Sequence, residues 1–112
     1  MDNLVNFFKA LSDKTRLRMM LLLLKREHCV CELTEILDLS QPKISKHLAK
    51  LRDLGLVNVR RDARFMYYSL SLDYPAIKSV LAILSNYIPE YEQLKIDSDN
   101  VKGCTPIKKL RK

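Results

Sequence analysis

Two cysteines separated by one residue are the side chains of this chain best suited to specific chemistry. Cys29 and Cys31 stand at the head of a short amphipathic segment. Thiolates are soft ligands that select Zn(II), Cd(II), Cu(I) and, by the same softness, trivalent arsenic. At a helix N-terminus we expect a thiol pKa below the usual value of about 8.5, because the helix dipole and free N–H groups stabilise the anion. The pair predicts a metal or metalloid site; the alternative is two small, partly buried apolar residues.

Composition and the start of the chain limit the class of protein. The 112 residues, 47% of them hydrophobic, suffice for one domain that buries roughly two-thirds of its unfolded surface. No run approaches the roughly 18 apolar residues of a membrane span, so no membrane association is expected. The start, Met1-Asp2-Asn3, lacks the features of a secretory signal. We therefore expect a reducing, cytoplasmic location in which the cysteines are free thiols.

The net charge of +7 is unevenly distributed along the sequence. Basic clusters attract phosphate and release counterions, which is typical of nucleic-acid binding. We expect such contacts from the first of two basic blocks and a solvated surface from the second. The first block is Lys43, Lys46, Lys50, Arg52, Arg60, Arg61 and Arg64, opposed only by Asp53 and Asp62; the second is Lys102, Lys108, Lys109, Arg111 and Lys112.

Helical spacing of apolar residues predicts four helices before Gly55. The first covers residues 4–11, and Ser12-Asp13 offers an N-cap for the second. The third runs from about Cys29 to Leu37, and the fourth follows a short turn, with Ser40 as N-cap and Pro42 in its first turn. Gly55 suits the C-terminal stop of the fourth helix. Two helices joined by about three residues match a helix-turn-helix.

Beyond Gly55 the pattern changes from helical to twofold. Residues 56–60 and 65–70 are rich in β-branched and aromatic side chains, which predicts a β-hairpin wing. Asp73 is expected to cap a last helix that Pro89 ends or kinks. The predicted fold is mainly α with a β-hairpin wing, a winged helix-turn-helix of order α-α-α-α-β-β-α in a domain of residues 1–89. Residues 90–112 are expected to form a polar, basic and flexible tail.

Four stretches of this sequence form a recognisable combination: residues 8–18 (FKALSDKTRLR), 29–33 (CVCEL), 40–48 (SQPKISKHL) and 51–57 (LRDLGLV). In this order they resemble the ArsR/SmtB family of metal(loid)-responsive winged helix-turn-helix transcriptional repressors, arsenic-responsive type. The resemblance covers about residues 4 to 88. Any one stretch alone would be weak, but the combination is specific.

The resemblance implies a homodimer formed through the first and last helices, with a DNA affinity that metal binding lowers. It also implies that residues near the start of the fourth helix contact a double-stranded operator. The residues implied to contact the operator are Gln41, Lys43, Ser45, Lys46 and His47. The basic pattern adds Lys50 and the wing residues Arg60, Arg61 and Arg64.

The sequence departs from the arsenic-responsive pattern at one position. Such members usually carry a third cysteine three residues after the second, where this chain has Thr34. Trivalent arsenic prefers three thiolates, and about fifteen residues beyond Pro89 can span up to roughly 50 Å, so Cys104 can complete a set with Cys29 and Cys31. The alternative is that Cys104 is an unrelated tail cysteine.

Histidine is the other side chain that a metal site in this chain could use. His28 could offer a nitrogen, although a solvated or capping histidine is the expected role. The family's second site, built from Asp and His on the last helix, is not expected because residues 73–89 contain no histidine.

The predicted function is therefore a DNA-binding transcriptional repressor that a thiophilic metal(loid), As(III) or Sb(III), releases from its operator, with no catalytic cofactor. The alternatives are a thiol-redox-responsive repressor, a Cd-, Pb- or Zn-responsive repressor using the same cysteines, and a winged-helix interaction module without an operator. An enzyme is not expected, because Gly55 and Gly103 are the only glycines and form no phosphate-cradling loop. The C-x-C spacing is also one residue shorter than the C-x-x-C of thiol redox catalysts.

Overall fold

Six α-helices and a three-stranded sheet make up residues 1–103, the part of the chain that the computed structural model describes. A 3-10 helix, Ile88–Glu90, lies between the last two helices. The helices are α1 (Asp2–Leu11), α2 (Lys14–Lys25), α3 (Val30–Leu37), α4 (Gln41–Asp53), α5 (Pro75–Ser85) and α6 (Glu92–Gly103), and the strands are β1 (His28–Cys29), β2 (Val57–Asp62) and β3 (Phe65–Leu70).

Local signals fix the boundaries of α2 and of the helix-turn-helix formed by α3 and α4. The Asp13 carboxylate accepts a hydrogen bond of 3.0 Å from the backbone N–H of Arg16, which confirms the predicted N-cap. Asp38, in the turn between α3 and α4, has a left-handed φ of 54°, a conformation that short polar side chains tolerate. Pro42 lies in the first turn of α4, as predicted.

The end of α4 requires a glycine. Gly55 has a φ of +75°, and its N–H donates to the Arg52 carbonyl while that of Leu56 donates to the Leu51 carbonyl, both at 3.0 Å. This pair of bonds satisfies the last carbonyls of the helix and turns the chain into β2. The predicted helix stop is confirmed.

The sheet is antiparallel, with strand order β1-β3-β2. Asp62 pairs with Phe65, so Ala63 and Arg64 form the turn of the predicted hairpin. The short strand β1, where Cys29 pairs with Tyr67, was not predicted, because two residues cannot show an alternating pattern. It moves the start of α3 from Cys29 to Val30 and fixes the first cysteine in the sheet.

The core fills the space between the helices and one face of the sheet. Helices α1 to α5 each contribute fully buried apolar side chains, and α4 presents its opposite face to solvent. The fold is therefore the predicted winged helix-turn-helix. Within residues 1–103, every helix is too short or too polar to cross a membrane. The most deeply buried apolar side chains are Phe7, Met19, Met20, Leu33, Ile36, Ile44, Leu48, Leu51, Leu56 and Leu81.

The start of α5 differs from the prediction in one detail. Its N-cap is Tyr74, which makes no side-chain cap hydrogen bond, and Asp73 lies one residue earlier. The Asp73 N–H donates to the Ser71 hydroxyl at 3.3 Å, so the loop before the helix has its own local bond. Pro75 lies in the first turn of α5, where its missing N–H leaves no helical bond unmade.

The segment after Pro89 differs more, because it contains α6. Arg18 of α2 donates to both carboxylate oxygens of Asp97, at 2.8 and 2.9 Å, and also to the Leu37 carbonyl of α3 at 3.2 Å. Asn100 donates to the Ile36 carbonyl at 3.0 Å. These bonds satisfy two of the C-terminal carbonyls of α3, those of Ile36 and Leu37. The expectation of a flexible tail is therefore corrected for residues 92–103; residues 104–112, including Cys104, lie outside the described residues.

Candidate thiol site and nucleic-acid interface

The two cysteines occupy different environments at the junction of β1 and α3. Cys29 is the N-cap of α3 and is only 1% exposed, whereas Cys31 is exposed on the first helical turn. The Glu32 carboxylate accepts a hydrogen bond of 3.0 Å from the Cys29 N–H, and the Glu32 N–H in turn faces the Cys29 sulfur. This reciprocal capping box fixes the position of the buried sulfur.

Burial changes the acidity of the first thiol. Burial raises the pKa of Cys29 to about 11; the hydrogen bond from the Glu32 N–H acts in the opposite direction, and the negative charge of the Glu32 carboxylate raises the pKa further. The expectation that the helix N-terminus lowers the pKa is therefore wrong for Cys29, because loss of solvent outweighs the helix end. At neutral pH Cys29 is a neutral thiol, so a metal or metalloid must displace its proton.

A surface cleft of about 200 Å³ joins the thiols to the helix-turn-helix and the wing. The first residue of α4, Gln41, and the turn residue Arg64 both line it. Two residues predicted to contact DNA therefore share a cleft with the two predicted metal ligands. The lining residues are Cys29, Val30, Cys31, Thr34, Gln41, Arg64, Phe65 and Met66.

The third ligand is not found among residues 1–103, where no group of three His, Cys, Asp or Glu side chains has the arrangement of a metal site. At the position of the missing cysteine, the Thr34 hydroxyl donates to the Cys31 carbonyl at 2.7 Å. Cys29 and Cys31 therefore supply two soft ligands within the described part of the chain.

His28 is neither solvated nor a cap, contrary to expectation. It is 0% exposed, and neither ring nitrogen has a hydrogen-bond partner among the described residues. Burial lowers the pKa of His28 to about 4; the positive charge of Arg26 acts in the same direction, and the Glu32 carboxylate, 4.0 Å away, opposes it. His28 does not line the thiol cleft, so nothing in its position supports a ligand role.

The burial of His28 predicts acid sensitivity. The pKa of His28 is about 4 in the folded state and 6.5 in the unfolded state. Between these pH values the unfolded state binds a proton that the folded state does not, so the contribution of His28 to stability is complete above pH 6.5 and is lost as the pH falls towards 4. We expect the free energy of unfolding to drop by about 3 kcal/mol over this interval. Urea unfolding at several pH values measures this, and His28→Leu should flatten the profile while His47→Gln should not. An equal pH dependence in parent and His28→Leu would contradict the prediction.

The exposed face of α4 carries most of the predicted DNA contacts. Its buried positions are Ile44, Leu48 and Leu51. His47 differs, because it is half-buried and its Nδ1 lies 4.0 Å from the carboxylate of Asp13, the N-cap of α2. His47 therefore faces α2, and its predicted DNA contact gains no support from the structure. The exposed predicted residues are Gln41, Lys43, Ser45, Lys46 and Lys50.

The wing arginines are not equivalent. Arg60 donates to both carboxylate oxygens of Glu27, at 3.0 and 2.5 Å, and its guanidinium lies 4.5 Å from the ring centre of Tyr67. Arg60 is thus engaged in an ion pair within the chain, although its side chain is still exposed, and its contact with DNA stays a prediction. Arg61, near the end of β2, and Arg64, in the hairpin turn, are both exposed, and the Arg64 guanidinium lies 5.7 Å from the Phe65 ring centre.

Two acidic residues of the site were not predicted. Glu32 binds the Arg26 guanidinium at 2.9 Å as well as the Cys29 N–H, so it links the thiol helix to the preceding loop. A glutamate three residues after an N-cap serine or threonine is the sequence pattern of a capping box. Here the N-cap is Cys29, so the sequence does not show the usual pattern. Glu27 carries no such signal, since its partner Arg60 lies 33 residues away.

Comparison with known proteins agrees with this architecture. Residues 13–59 match the sequence model of a protein family described as "Bacterial regulatory protein, arsR family". The arsenic resistance transcriptional regulator ArsR1 of Pseudomonas putida is 54% identical over 69 residues, which cover 61% of this chain and 54% of that protein. The arsenical resistance operon repressor of Escherichia coli is 49% identical over 73 residues, or 64% of this chain and 62% of that protein. The chain thus spans little more than half the length of these relatives.

A solved structure extends the likeness beyond the DNA-binding segment. HlyU from Vibrio cholerae superimposes with a TM-score of 0.70 and 38% sequence identity, covering 75% of this chain and 89% of that one. The chain belongs to the arsR family of bacterial regulatory proteins.

Proposed function

We propose that this chain is a cytoplasmic transcriptional repressor that binds operator DNA and is released from it by trivalent arsenic or antimony. The observation that carries the proposal is the thiol cleft, in which Cys29 and Cys31 share a surface with Gln41 and Arg64. A ligand on the sulfurs would occupy space next to two residues proposed to contact DNA. The relatives named as arsenic regulators support this choice of inducer.

A homodimer through α1 and α5 would supply two recognition helices. Both helices expose large apolar side chains, which a monomer would leave in water. A dimer with α4 helices roughly 34 Å apart would reach successive major grooves. The exposed apolar residues on and just after these helices are Val5, Phe8, Ile83, Leu84 and Tyr87.

The DNA contact predicts a difference between two exposed lysines. Lys46→Ala should weaken operator binding across all sequences and reduce the slope of log affinity against log salt by about 1, because one phosphate contact is lost. Lys95→Ala, on the exposed face of α6, is the matched control and should change neither the operator affinity nor its salt dependence. Fluorescence anisotropy at several salt concentrations measures both; equal slopes for the two variants would argue that α4 does not face DNA.

Induction is tested by titrating the operator complex with arsenite, antimonite, Cd(II), Zn(II) and peroxide. Arsenite and antimonite should release DNA. Oxidation requires access to a reactive thiolate, and Cys29 is almost completely buried, whereas a metalloid can bind the exposed Cys31 first. Release by peroxide alone would favour the redox-responsive alternative, and release by Cd(II) or Zn(II) alone would favour a divalent-metal sensor.

A further inference from the structure

The thiol cleft offers two sulfurs, whereas trivalent arsenic forms three bonds. Within residues 1–103, Cys29 and Cys31 are the thiols available, and the nearby Thr34 hydroxyl is committed to the Cys31 carbonyl. Arsenite brings its own oxygen ligands. The third arsenic bond can therefore stay with an oxygen, provided that the cleft stabilises it.

The polar lining of the cleft suits such an oxygen. Besides Thr34 and the cysteines, its polar side chains are Gln41 and Arg64, which together offer an amide N–H₂ and five guanidinium N–H donors. No carboxylate lies among the described lining residues to repel an electron-rich oxygen. The remaining lining side chains, Val30, Phe65 and Met66, are apolar and strengthen hydrogen bonds by excluding water.

We propose that Arg64, assisted by Gln41, binds the hydroxyl oxygen that arsenite retains when Cys29 and Cys31 take its other two positions. This inference rests on the proposed function. Two As–O bonds break and two As–S bonds form, and the thiol protons leave with the two displaced hydroxyl groups as two water molecules. Arsenic stays trivalent, so no oxidant or reductant is needed. Arg64 is then a specificity-determining residue that distinguishes arsenite from arsenicals without a third oxygen.

The same contact explains how binding could be coupled to DNA release. Arg64 is an exposed arginine of the wing turn and a proposed phosphate contact. When the Arg64 guanidinium donates into the thiol cleft, it is oriented away from DNA. The Gln41 side chain, at the start of α4, is likewise turned into the cleft and away from DNA when it binds the same oxygen. Because such coupling is reciprocal, operator DNA should weaken arsenite binding by the same factor.

The experiment compares arsenite with phenylarsine oxide on the full chain. Phenylarsine oxide loses its oxygen as water when two thiols bind, so its third arsenic bond is to carbon and offers Arg64 no acceptor. Protection of the thiols from a colorimetric thiol reagent reports the affinity for each compound. Arg64→Met should bind arsenite about tenfold more weakly, equivalent to about 1.4 kcal/mol, and phenylarsine oxide as tightly as the parent. Arg61→Met, the neighbouring exposed wing arginine outside the cleft lining, should match the parent for both.

The outcomes separate this inference from the proposed function. If Arg64→Met binds arsenite as the parent does, or loses affinity for both arsenicals equally, the inference is overturned while the thiol sensor stands. Repeating the comparison in Cys104→Ser tests the competing third ligand: an unchanged arsenite affinity with the Arg64 effect intact supports the oxygen, and a large loss of affinity supports a third thiolate and overturns the inference. If arsenite fails to protect the thiols of the parent, the inference and the proposed function fall together.

Discussion

Arsenite should dissociate the parent protein from operator DNA but should leave the complex of a Cys29→Ser, Cys31→Ser double variant intact. The hydroxyl group is a hard ligand that trivalent arsenic has no reason to prefer over water, so the variant cannot retain the metalloid. An allosteric coupling of about 1 to 3 kcal/mol, or 5- to 150-fold in DNA affinity, should therefore disappear. Anisotropy of labelled operator DNA with increasing arsenite measures this loss. Cys29→Ser and Cys31→Ser alone should each resist arsenite as the double variant does, because a single sulfur cannot chelate the arsenic.

The double variant should still fold and bind DNA, which makes the result interpretable. Serine is close in volume to cysteine and is a favoured N-cap residue, so it can accept the Glu32 N–H that faces the Cys29 sulfur. At the exposed position 31 the change costs little. Circular dichroism and operator affinity without arsenite provide these controls. Release of DNA by arsenite from the double variant would refute thiol sensing and leave the winged helix-turn-helix assignment unaffected.

The cysteine beyond the described residues gives a complementary result. If an oxygen completes the arsenic site, Cys104→Ser should release DNA over the same arsenite range as the parent. If Cys104 is the third ligand, the same variant should respond only at much higher arsenite. The position of Thr34, with its hydroxyl bonded to the Cys31 carbonyl, offers no third soft ligand within α3.

Most of the fold was predictable because its boundaries depend on local chemistry. Asp13 caps α2 through a residue three positions away, and Gly55 supplies the left-handed conformation that ends α4. Pro42 lies in a first turn, where its missing N–H leaves no bond unmade. Each of these interactions joins residues that are only a few positions apart, so each can be predicted from the sequence alone.

The environment of the site was not predictable, because it depends on contacts that are distant in sequence. Arg60 and Glu27 are 33 residues apart, and their ion pair links the wing to the loop that precedes β1. The pKa of Cys29 rises because the protein buries the sulfur, which the helix-end argument could not include. The proximity of His47 to the Asp13 carboxylate, at 4.0 Å, likewise joins residues that are far apart in the sequence.

Asp97→Ala should strongly destabilise the fold, because it removes the ion pair between Arg18 and Asp97. Among the contacts discussed above, this pair joins the residues that are farthest apart in the sequence, at 79 residues. The side chains are only 15% and 3% exposed, so the substitution leaves a largely buried guanidinium without its counter-charge. Removing one partner of a buried pair costs about 3–5 kcal/mol. A cavity of about 410 Å³ beside the pair, between α2 and α6, can admit water to solvate Arg18, so we expect about 3 kcal/mol, the lower end of that range.

Urea unfolding should show this loss in Asp97→Ala, whereas Asp99→Ala, exposed on the same helix, should unfold within about 0.5 kcal/mol of the parent. The double variant Arg18→Met, Asp97→Leu should recover much of the stability, because apolar residues of similar size often replace a buried pair without loss. Such recovery would assign the cost to the unpaired charge and not to a general intolerance of change in α6. Equal midpoints for Asp97→Ala and Asp99→Ala would instead show that α6 does not pack against α2 and α3 in solution, and that the C-terminal carbonyls of α3 are satisfied by water.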